Sequence, residues 1–501
     1  MTTILTIDAG TSGGRAILFD LEGRILARAH ETWRYDIGEP GDLPFIRPSS
    51  FDPEAFWQAL SRCIRRVLAE GDVERDEIGA VVATSQREGC VFLDAGGREI
   101  YAGPNADARA ALEALEAQQI VGTERLHRIT GHAPPFIFPM ARFLWWRKHR
   151  PAETVRHILM INDWILYRLT GVVGMEPSNA SESMLFDVSE RRWSEEILGK
   201  LDIPAAVLPP LRMPGERIGE VTASVAAATG LRAGTPVIVG GADTQVALLG
   251  TGVLDAGESA TIIGSTAPVQ TVVATPIIDP AGSLWTGCHV VPGRWVCESN
   301  GGEAGSAYAW LLDLLGATAS TDPYVTAESW VQPRDPSKRQ PLMFVGPAIF
   351  NLTTMNPYRP AGVLFPYPLM EVGRPDRGAL VRALLENIVF AVRGNCEQIA
   401  KVVGRPIRNL RVSGGMSRGS LLVHMLADVM NGPIQVGTVA ESAGLGCAML
   451  GAVGLGIYPD ATAAASTMVR TTVVEPSAAG AYEEHYAKWR ELYAALDVMT
   501  I

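Results

Sequence analysis

The 501-residue chain is long enough for two or three domains, and its 47% hydrophobic and 19% charged residues make it globular rather than disordered. A net formal charge of −11 excludes a diffuse electrostatic hold on nucleic acid or an anionic membrane, although backbone N–H groups can still bind a phosphate-bearing ligand locally. Six scattered cysteines, with no CxxC pair, suit free thiols in a reducing compartment better than a disulfide or zinc framework.

Taken in chain order, residues 3–8 read as a strand ending on Asp8, followed by a turn of Gly10, Thr11, Ser12, Gly13 and Gly14 and a second strand from Arg15 to Asp20. A third strand at 25–29 completes a meander. A dinucleotide-binding fold would place a helix after those glycines, and a P-loop would need GK[ST]; neither is present. Apolar spacing at Phe56, Trp57, Leu60, Ile64 and Val67 predicts a helix over 53–68. A buried strand at 78–84 leads into Ser85-Gln86-Arg87-Glu88-Gly89, and 91–93 leads into a turn at 94–97. Helices are predicted over 105–119, 139–149 and 152–169, and Pro204 to Pro214 crosses the surface. A strand at 235–240 closes on Asp243-Thr244-Gln245, and one at 259–263 closes on Gly264-Ser265-Thr266. This second meeting of strand, acid and glycine echoes the N-terminal pattern and predicts a second domain of related fold. Residues 311–380 read as loop-rich. A helix at 379–403, a strand at 409–413 ending on Gly414-Gly415, a helix at 421–430, a strand at 433–436 and helices at 441–455 and 479–496 complete the chain. The expected division is 1–245, 246–455 and a helical segment 456–501 that could pack back on the N-terminal domain.

The start of the chain lacks the basic region and apolar run of a signal peptide. The apolar stretch after Glu441 reaches Tyr458 in sixteen residues, short of the roughly 20 that span a bilayer. It reads as a buried helix packed closely through its glycines, in a cytoplasmic protein.

Five constellations can carry chemistry. Asp8 at a strand end, beside a turn whose N–H groups can approach phosphate oxygens, can hold hydrated Mg2+, or the turn is an ordinary hairpin. Asp243 can accept a hydroxyl proton, or it is a helix N-cap. Gly264, Ser265 and Thr266 can contact phosphates from the far side of a cleft, or form a plain turn. Gln86, Arg87 and Glu88, with Asn105, Asp107 and Arg109, pair donors with acceptors as polyol recognition requires, or are exposed salt bridges. Gly414, Gly415 and Met416 can admit the flat face of a base or the adjoining ribose, or pack a helix. The aromatic run Phe143, Trp145, Trp146 and Trp164 reads as core. No HExxH and no Gly-x-Ser-x-Gly elbow is present.

In order, these motifs resemble the FGGY family of carbohydrate kinases over residues 3–455. Ile7 to Arg15 resembles its first phosphate motif, Ser85 to Glu88 its substrate loop, and Asn105 to Arg109 the acidic segment after it. Pro139 to Trp146 resembles its first signature, with Arg142 where many members have lysine. Gly240 to Gln245 resembles the catalytic-base segment. Ser413 to Gly432 resembles the adenosine-side signature, with His424 where glutamine is frequent. The resemblance implies an α/β chain of two ribonuclease-H-like, actin-like ATPase domains flanking a central cleft. It implies ATP and Mg2+, a small sugar or polyol substrate, and no nucleic-acid or membrane partner; a homodimer stays open. On this reading Asp243 is the base. Gln86, Arg87, Glu88, Asp107, Asp243 and Gln245 meet the sugar. Gly10, Thr11, Ser12, Gly13, Arg15, Gly264, Ser265, Thr266, Gly414, Gly415 and Met416 meet the nucleotide, and Asp8 and Asp243 the metal. Gln86 to Gly89, Asn105 to Arg109 and Pro177 to Ala180 look most like the branch acting on autoinducer-2, the linear 4,5-dihydroxypentane-2,3-dione. Kinases of glycerol, xylulose or another short ketose or alditol, and a non-catalytic sugar sensor, are the alternatives.

Overall fold

The structure, a computed structural model, describes residues 2–39, 46–333, 340–350, 359–366 and 375–500. The N-terminal sheet starts with the predicted meander: β1 (Thr3–Ala9), β2 (Gly13–Phe19) and β3 (Ile25–Thr32) pair antiparallel. β4 (Ile78–Ser85) joins β1 in parallel, a later strand β5 (Pro236–Ala242) joins β4 in parallel, and Arg217–Glu220 closes the edge antiparallel. All seven residues of β1 are buried, because helices cover both faces of the sheet. α1 (Pro53–Glu70), N-capped by Asp52 with Pro53 in its first turn, packs on β2 and β3, and Ile161–Thr170 packs behind β4 and β5.

The C-terminal sheet repeats this order. β6 (Ser259–Ile262) and β7 (Thr266–Val273) form a hairpin, and β8 (Trp295–Glu303) pairs antiparallel with β7. β9 (Arg411–Ser413) and β10 (Ile434–Gly437) follow in parallel on the other side of β6, and Thr471–Val474 closes that edge antiparallel. One strand is extra: Trp285–Cys288 pairs with β8 at the opposite edge. The echo read at 235–266 is thus a duplicated sheet.

Two helices join the halves. α2 (Asp243–Gly250) runs on from β5, and α3 (Ser442–Gly454) lies against α2 and across β1, β4 and β5. Their backbones nearly touch. A Cβ on Gly250 would sit 1.9 Å from the Ser442 carbonyl oxygen, and one on Gly446 would sit 1.9 Å from that of Val246.

Several expected boundaries shift. A cut between 245 and 246 would split α2, and one at 455 would assign to the C-terminal unit a helix that covers the N-terminal sheet. The last segment does not pack back as a whole on the N-terminal unit. Its helix, Glu483–Asp497, lays Tyr482, Tyr486 and Trp489 around Phe390 of the long helix Arg377–Val403, and Glu483 pairs with Arg393 at 2.5 Å. Only the stretch before it reaches the N-terminal unit, where Tyr458 donates to the Leu21 carbonyl at 2.7 Å. The aromatic stripe needs apolar cover, and Phe390 supplies it. The helix expected over 105–119 starts only at Ala111, and the one over 152–169 opens as a strand, His157–Met160, paired with Cys90–Leu93. The loop-rich stretch 311–380 contains a helix, Pro323–Trp330, while 334–339, 351–358 and 367–374 lie outside the described residues.

Replacing Gly446 by Ala forces a methyl group into a backbone carbonyl, with an expected loss of about 1–3 kcal/mol. Gly199→Ala, with nothing within 4 Å of the new methyl, should stay within roughly 0.5 kcal/mol of wild type. Denaturant melts of the two variants check this, and equal midpoints would contradict the close-packed hinge.

Candidate active site

The parallel ladder sets the geometry. Asp8 on β1 is in register with Thr84 on β4, and Thr84 is in register with Gly241 on β5, two residues before Asp243. The strand ends carrying the two acids are therefore two strand spacings apart, about 9–10 Å. A bulge between Ile238 and Gly241 shifts the register of β5 just before Asp243, and it requires glycine: a Cβ on Gly240 would lie 2.0 Å from the Ala83 carbonyl. Thr84 fastens the site by donating to the Gly241 carbonyl at 2.7 Å, and the Ala242 N–H donates to Ser178 Oγ at 3.0 Å.

Both acids open onto one cavity of about 990 Å³ between the two units. The N-terminal unit lines it with Asp8, Gly10, Thr11, Ser12, Gly13, Arg15, Arg87 and Glu88; the C-terminal unit contributes Gly264, Ser265, Thr266, Trp285, Gly414 and Gly415. Asp243 and Thr244 form its floor at the start of α2. Four expected site residues are not part of this lining. Gln86 is buried and ties three segments together, donating to the Gly10 carbonyl (3.3 Å) and Tyr35 Oη (2.9 Å) while accepting from the Asn105 N–H (3.1 Å). Asp107 is fully buried and accepts from the Ser49 N–H, Tyr101 Oη and Arg109 Nε. Gln245 accepts from Thr244 Oγ1 at 2.6 Å, and Met416 lies behind its glycines with its N–H on the Ile263 carbonyl. Gln86 and Asp107 have their polar groups engaged in holding loops.

Arg142 is the other brace. Its buried guanidinium donates to the backbone carbonyls of Glu88, Pro104 and Ile137, locking the loop that presents Arg87 and Glu88. Glu88 takes a left-handed backbone, φ 58°, in that loop.

The cavity is rich in carboxylates. Burial, against the pull of Arg87 and with the push of Asp8, raises Asp243 to about 7; burial and the neighbouring acids raise Glu88 to about 8. Burial also raises Asp8, although Arg15 stands 3.4 Å away. One Asp243 oxygen, Oδ1, accepts the Thr244 N–H at 2.7 Å, leaving Oδ2 for other partners.

Sequence reasoning missed five residues here. Glu298 on β8 takes both terminal nitrogens of Arg87 at 2.8 Å, Glu182 approaches Arg87 at 3.3 Å, and His132 lies 3.2 Å from Glu182. The Trp285 ring lies 5.7 Å from the Arg87 guanidinium. Glu441, just before α3, draws in Arg15, Arg28 and Arg418 at 3.2–3.5 Å. None sits in a recognisable motif, and Glu298 lies in a strand that also holds Ser299, Asn300 and Glu303.

Residues 3–250 match the N-terminal domain of the FGGY family of carbohydrate kinases, and residues 259–455 match its C-terminal domain. The chain belongs to the FGGY family of carbohydrate kinases. It is 32% identical to the autoinducer-2 kinase of Klebsiella pneumoniae, covering 99% of this chain and 94% of that protein. It is also similar to a xyloylose kinase from Brucella ovis (25% identity, TM-score 0.81, 99% of both chains). A Plasmodium falciparum glycerol kinase with ADP shares the fold at 20% identity and TM-score 0.84, over 100% of this chain and 99% of that one. As an FGGY kinase, the protein is an ATP-dependent phosphotransferase acting on a sugar or polyol. Among its described residues, no helix is long and apolar enough to cross a membrane.

Burial opposes the charge on His132, but Glu182 outweighs it and raises the imidazole above its usual value, while His132 and Arg87 hold Glu182 down at about 2 against its own burial. A raised histidine stabilises the fold fully below its unfolded value and loses that contribution as pH rises through the folded value. The melting advantage of wild type over His132→Gln is therefore expected to be largest near pH 6 and to shrink as the pH is raised into the alkaline range. An advantage that does not change over that range would contradict a charged His132–Glu182 pair.

Proposed function

We propose that the protein phosphorylates a hydroxyl of linear 4,5-dihydroxypentane-2,3-dione, with Asp243 as the base. The observation that carries the catalytic part is the ladder that turns Asp8 and Asp243 toward one cavity. The substrate rests on two supports. The first is end-to-end similarity to an autoinducer-2 kinase. The second is charge: Glu88, Glu182, Asp243 and Glu298 gather around one buried guanidinium whose terminal nitrogens are already taken. An anionic sugar acid would meet repulsion there, whereas hydroxyl and carbonyl groups find donors and acceptors.

In the mechanism, the sugar lies against Arg87, Glu88 and Trp285 with the reacting hydroxyl on Asp243 Oδ2. The triphosphate runs from Gly264–Thr266 to the turn at Gly10–Gly13, with the adenosine end toward Gly414 and Gly415. Asp243 takes the hydroxyl proton as the substrate oxygen bonds the γ-phosphorus and the bond from that phosphorus to the β-phosphate oxygen breaks, releasing ADP. N–H groups of the two turns and Arg15 meet the charge on the phosphate oxygens. The residues suit Mg2+: two carboxylates face the triphosphate position, and among the described residues no group of three or more His, Cys, Asp or Glu forms an all-protein metal cage. That donor set matches an ion held by one or two carboxylates, waters and the nucleotide's own oxygens. Asp8, with Asp243, would hold it, and when bound it offsets phosphate charge. Apposed units keep water, a rival nucleophile, from the γ-phosphate.

Asp243→Asn should lower kcat by about 10²–10⁴-fold while ADP binding, read by calorimetry, stays near wild type; full activity would remove Asp243 from the base role. A coupled ADP-release assay over the dione, glycerol, xylulose and other short ketoses and alditols, with product identification, tests the substrate. Highest kcat/KM for the dione is expected. Preference for xylulose or glycerol would replace it, and no sugar-stimulated turnover would favour a sensor.

A further inference from the structure

The sugar pocket is not built from the N-terminal unit alone. Arg87 enters the cavity from the loop after β4, but its terminal nitrogens point across the cleft and meet both oxygens of Glu298 on β8, each at 2.8 Å. Glu298 is in turn fixed from its own sheet, accepting Gln270 Nε2 at 2.7 Å and Asn300 Nδ2 at 3.4 Å. Both partners of the pair are buried, at 8% and 3% side-chain exposure. Trp285, also from the C-terminal unit, covers the guanidinium and is pinned by its Nε1 donating to the Ala133 carbonyl at 2.7 Å. On the N-terminal side Arg87 has only Glu182 at 3.3 Å and Glu88 at 3.9 Å, the latter beyond hydrogen-bond reach.

We propose that Glu298 is a positioning residue of the sugar site, supplied by the C-terminal unit: by holding both terminal nitrogens of Arg87 it couples the shape of the sugar pocket to the apposition of the two units. A parallel two-bond contact fixes the plane of a guanidinium as well as its place. With that edge occupied and one face under Trp285, Arg87 meets the substrate by its Nε edge and its other face, and Glu88 takes the accepting role beside it. Trp285 is anchored to the N-terminal unit through Ala133, so a shift of the C-terminal sheet acts on Arg87 through Glu298, and Arg87 is then left free to fold onto Glu182. The sugar site then exists in full only when the nucleotide-bearing unit is in place, so a sugar bound to an open cleft is bound weakly.

This inference rests on the sugar-facing reading of Arg87, and its test separates the two. Glu298→Gln keeps the size and removes the charge; Glu298→Asp keeps the charge on a shorter stem. The full-length protein carries spin labels at Glu70→Cys and Leu314→Cys, exposed positions on opposite units, and all six native cysteines are buried. In the ligand-free protein, Glu298→Gln should lengthen or broaden the distance between labels, and Glu298→Asp should recover part of the wild-type distribution. With the dione as substrate, Glu298→Gln should raise KM for the dione about tenfold or more and leave KM for ATP within about threefold. A folded Glu298→Gln protein, verified by its melt, with an unchanged distance distribution and unchanged KM for the dione overturns the role of Glu298. If wild type turns over no sugar, the kinase substrate reading fails, and the distance measurement still decides: an unchanged distribution overturns the proposal and a changed one supports the cross-cleft hold.

Discussion

The parallel ladder β1–β4–β5 is the constraint on which the rest depends. Parallel register leaves no freedom in where three consecutive strand ends fall: Asp8, the loop after Ser85 and Asp243 emerge side by side on one edge of one sheet. An acid on each outer strand, with the loop that carries Arg87 and Glu88 between them, gives the cavity a floor about two strand spacings wide. The glycine bulge at Gly240 and the Thr84 and Ser178 hydrogen bonds keep the last turn of that ladder from slipping. The second sheet repeats the topology and faces the first, so its glycine turn at Gly264 comes to the opposite wall of the same cavity.

Charge is the second theme. Collecting Asp8, Glu88, Glu182, Asp243 and Glu298 in a buried cleft costs solvation free energy that one arginine cannot offset for all of them. Arg87 is shared out unequally. Glu298 and Glu182 receive its hydrogen bonds, and Glu182 stays ionised, whereas Asp243 and Glu88 are left with raised proton affinity. A carboxylate poised near neutrality is suited to taking up a hydroxyl proton. At the other end of the cavity, Glu441 gathers three arginines from both units, marking the mouth where a polyanionic nucleotide would enter.

Much of this was legible in the sequence because it is local. A strand ending in an acid and followed by glycines announces itself by composition, and so did the first meander, the helix at 53–70, the glycine-packed helix at 442–454 and the lining at Asp8, Gly10–Gly13, Arg87, Glu88, Asp243 and Gly264–Thr266. What was missed depends on contacts far apart in the chain. Gln86 and Asp107 carry groups suited to sugar binding, but partners brought in by the fold engage those groups. Glu298 lies 211 residues from its partner Arg87, and nothing in a strand of alternating residues marks one glutamate as half of an ion pair. The strand at 157–160 reads as helix until the three-stranded sheet it completes is known, and the last helix shows an apolar stripe without showing which unit covers it.

The central claim is that one cleft, with an acid on either side of the reacting phosphoryl group, passes that group straight from nucleotide to sugar. Turnover of ATP made isotopically chiral at the γ-phosphorus, followed by configurational assignment of the phosphorylated product, tests this most directly. Inversion is the predicted result, because a single in-line displacement between two bound substrates inverts the phosphorus once. Retention would mean that a residue of the protein first takes the phosphoryl group, and would contradict the account.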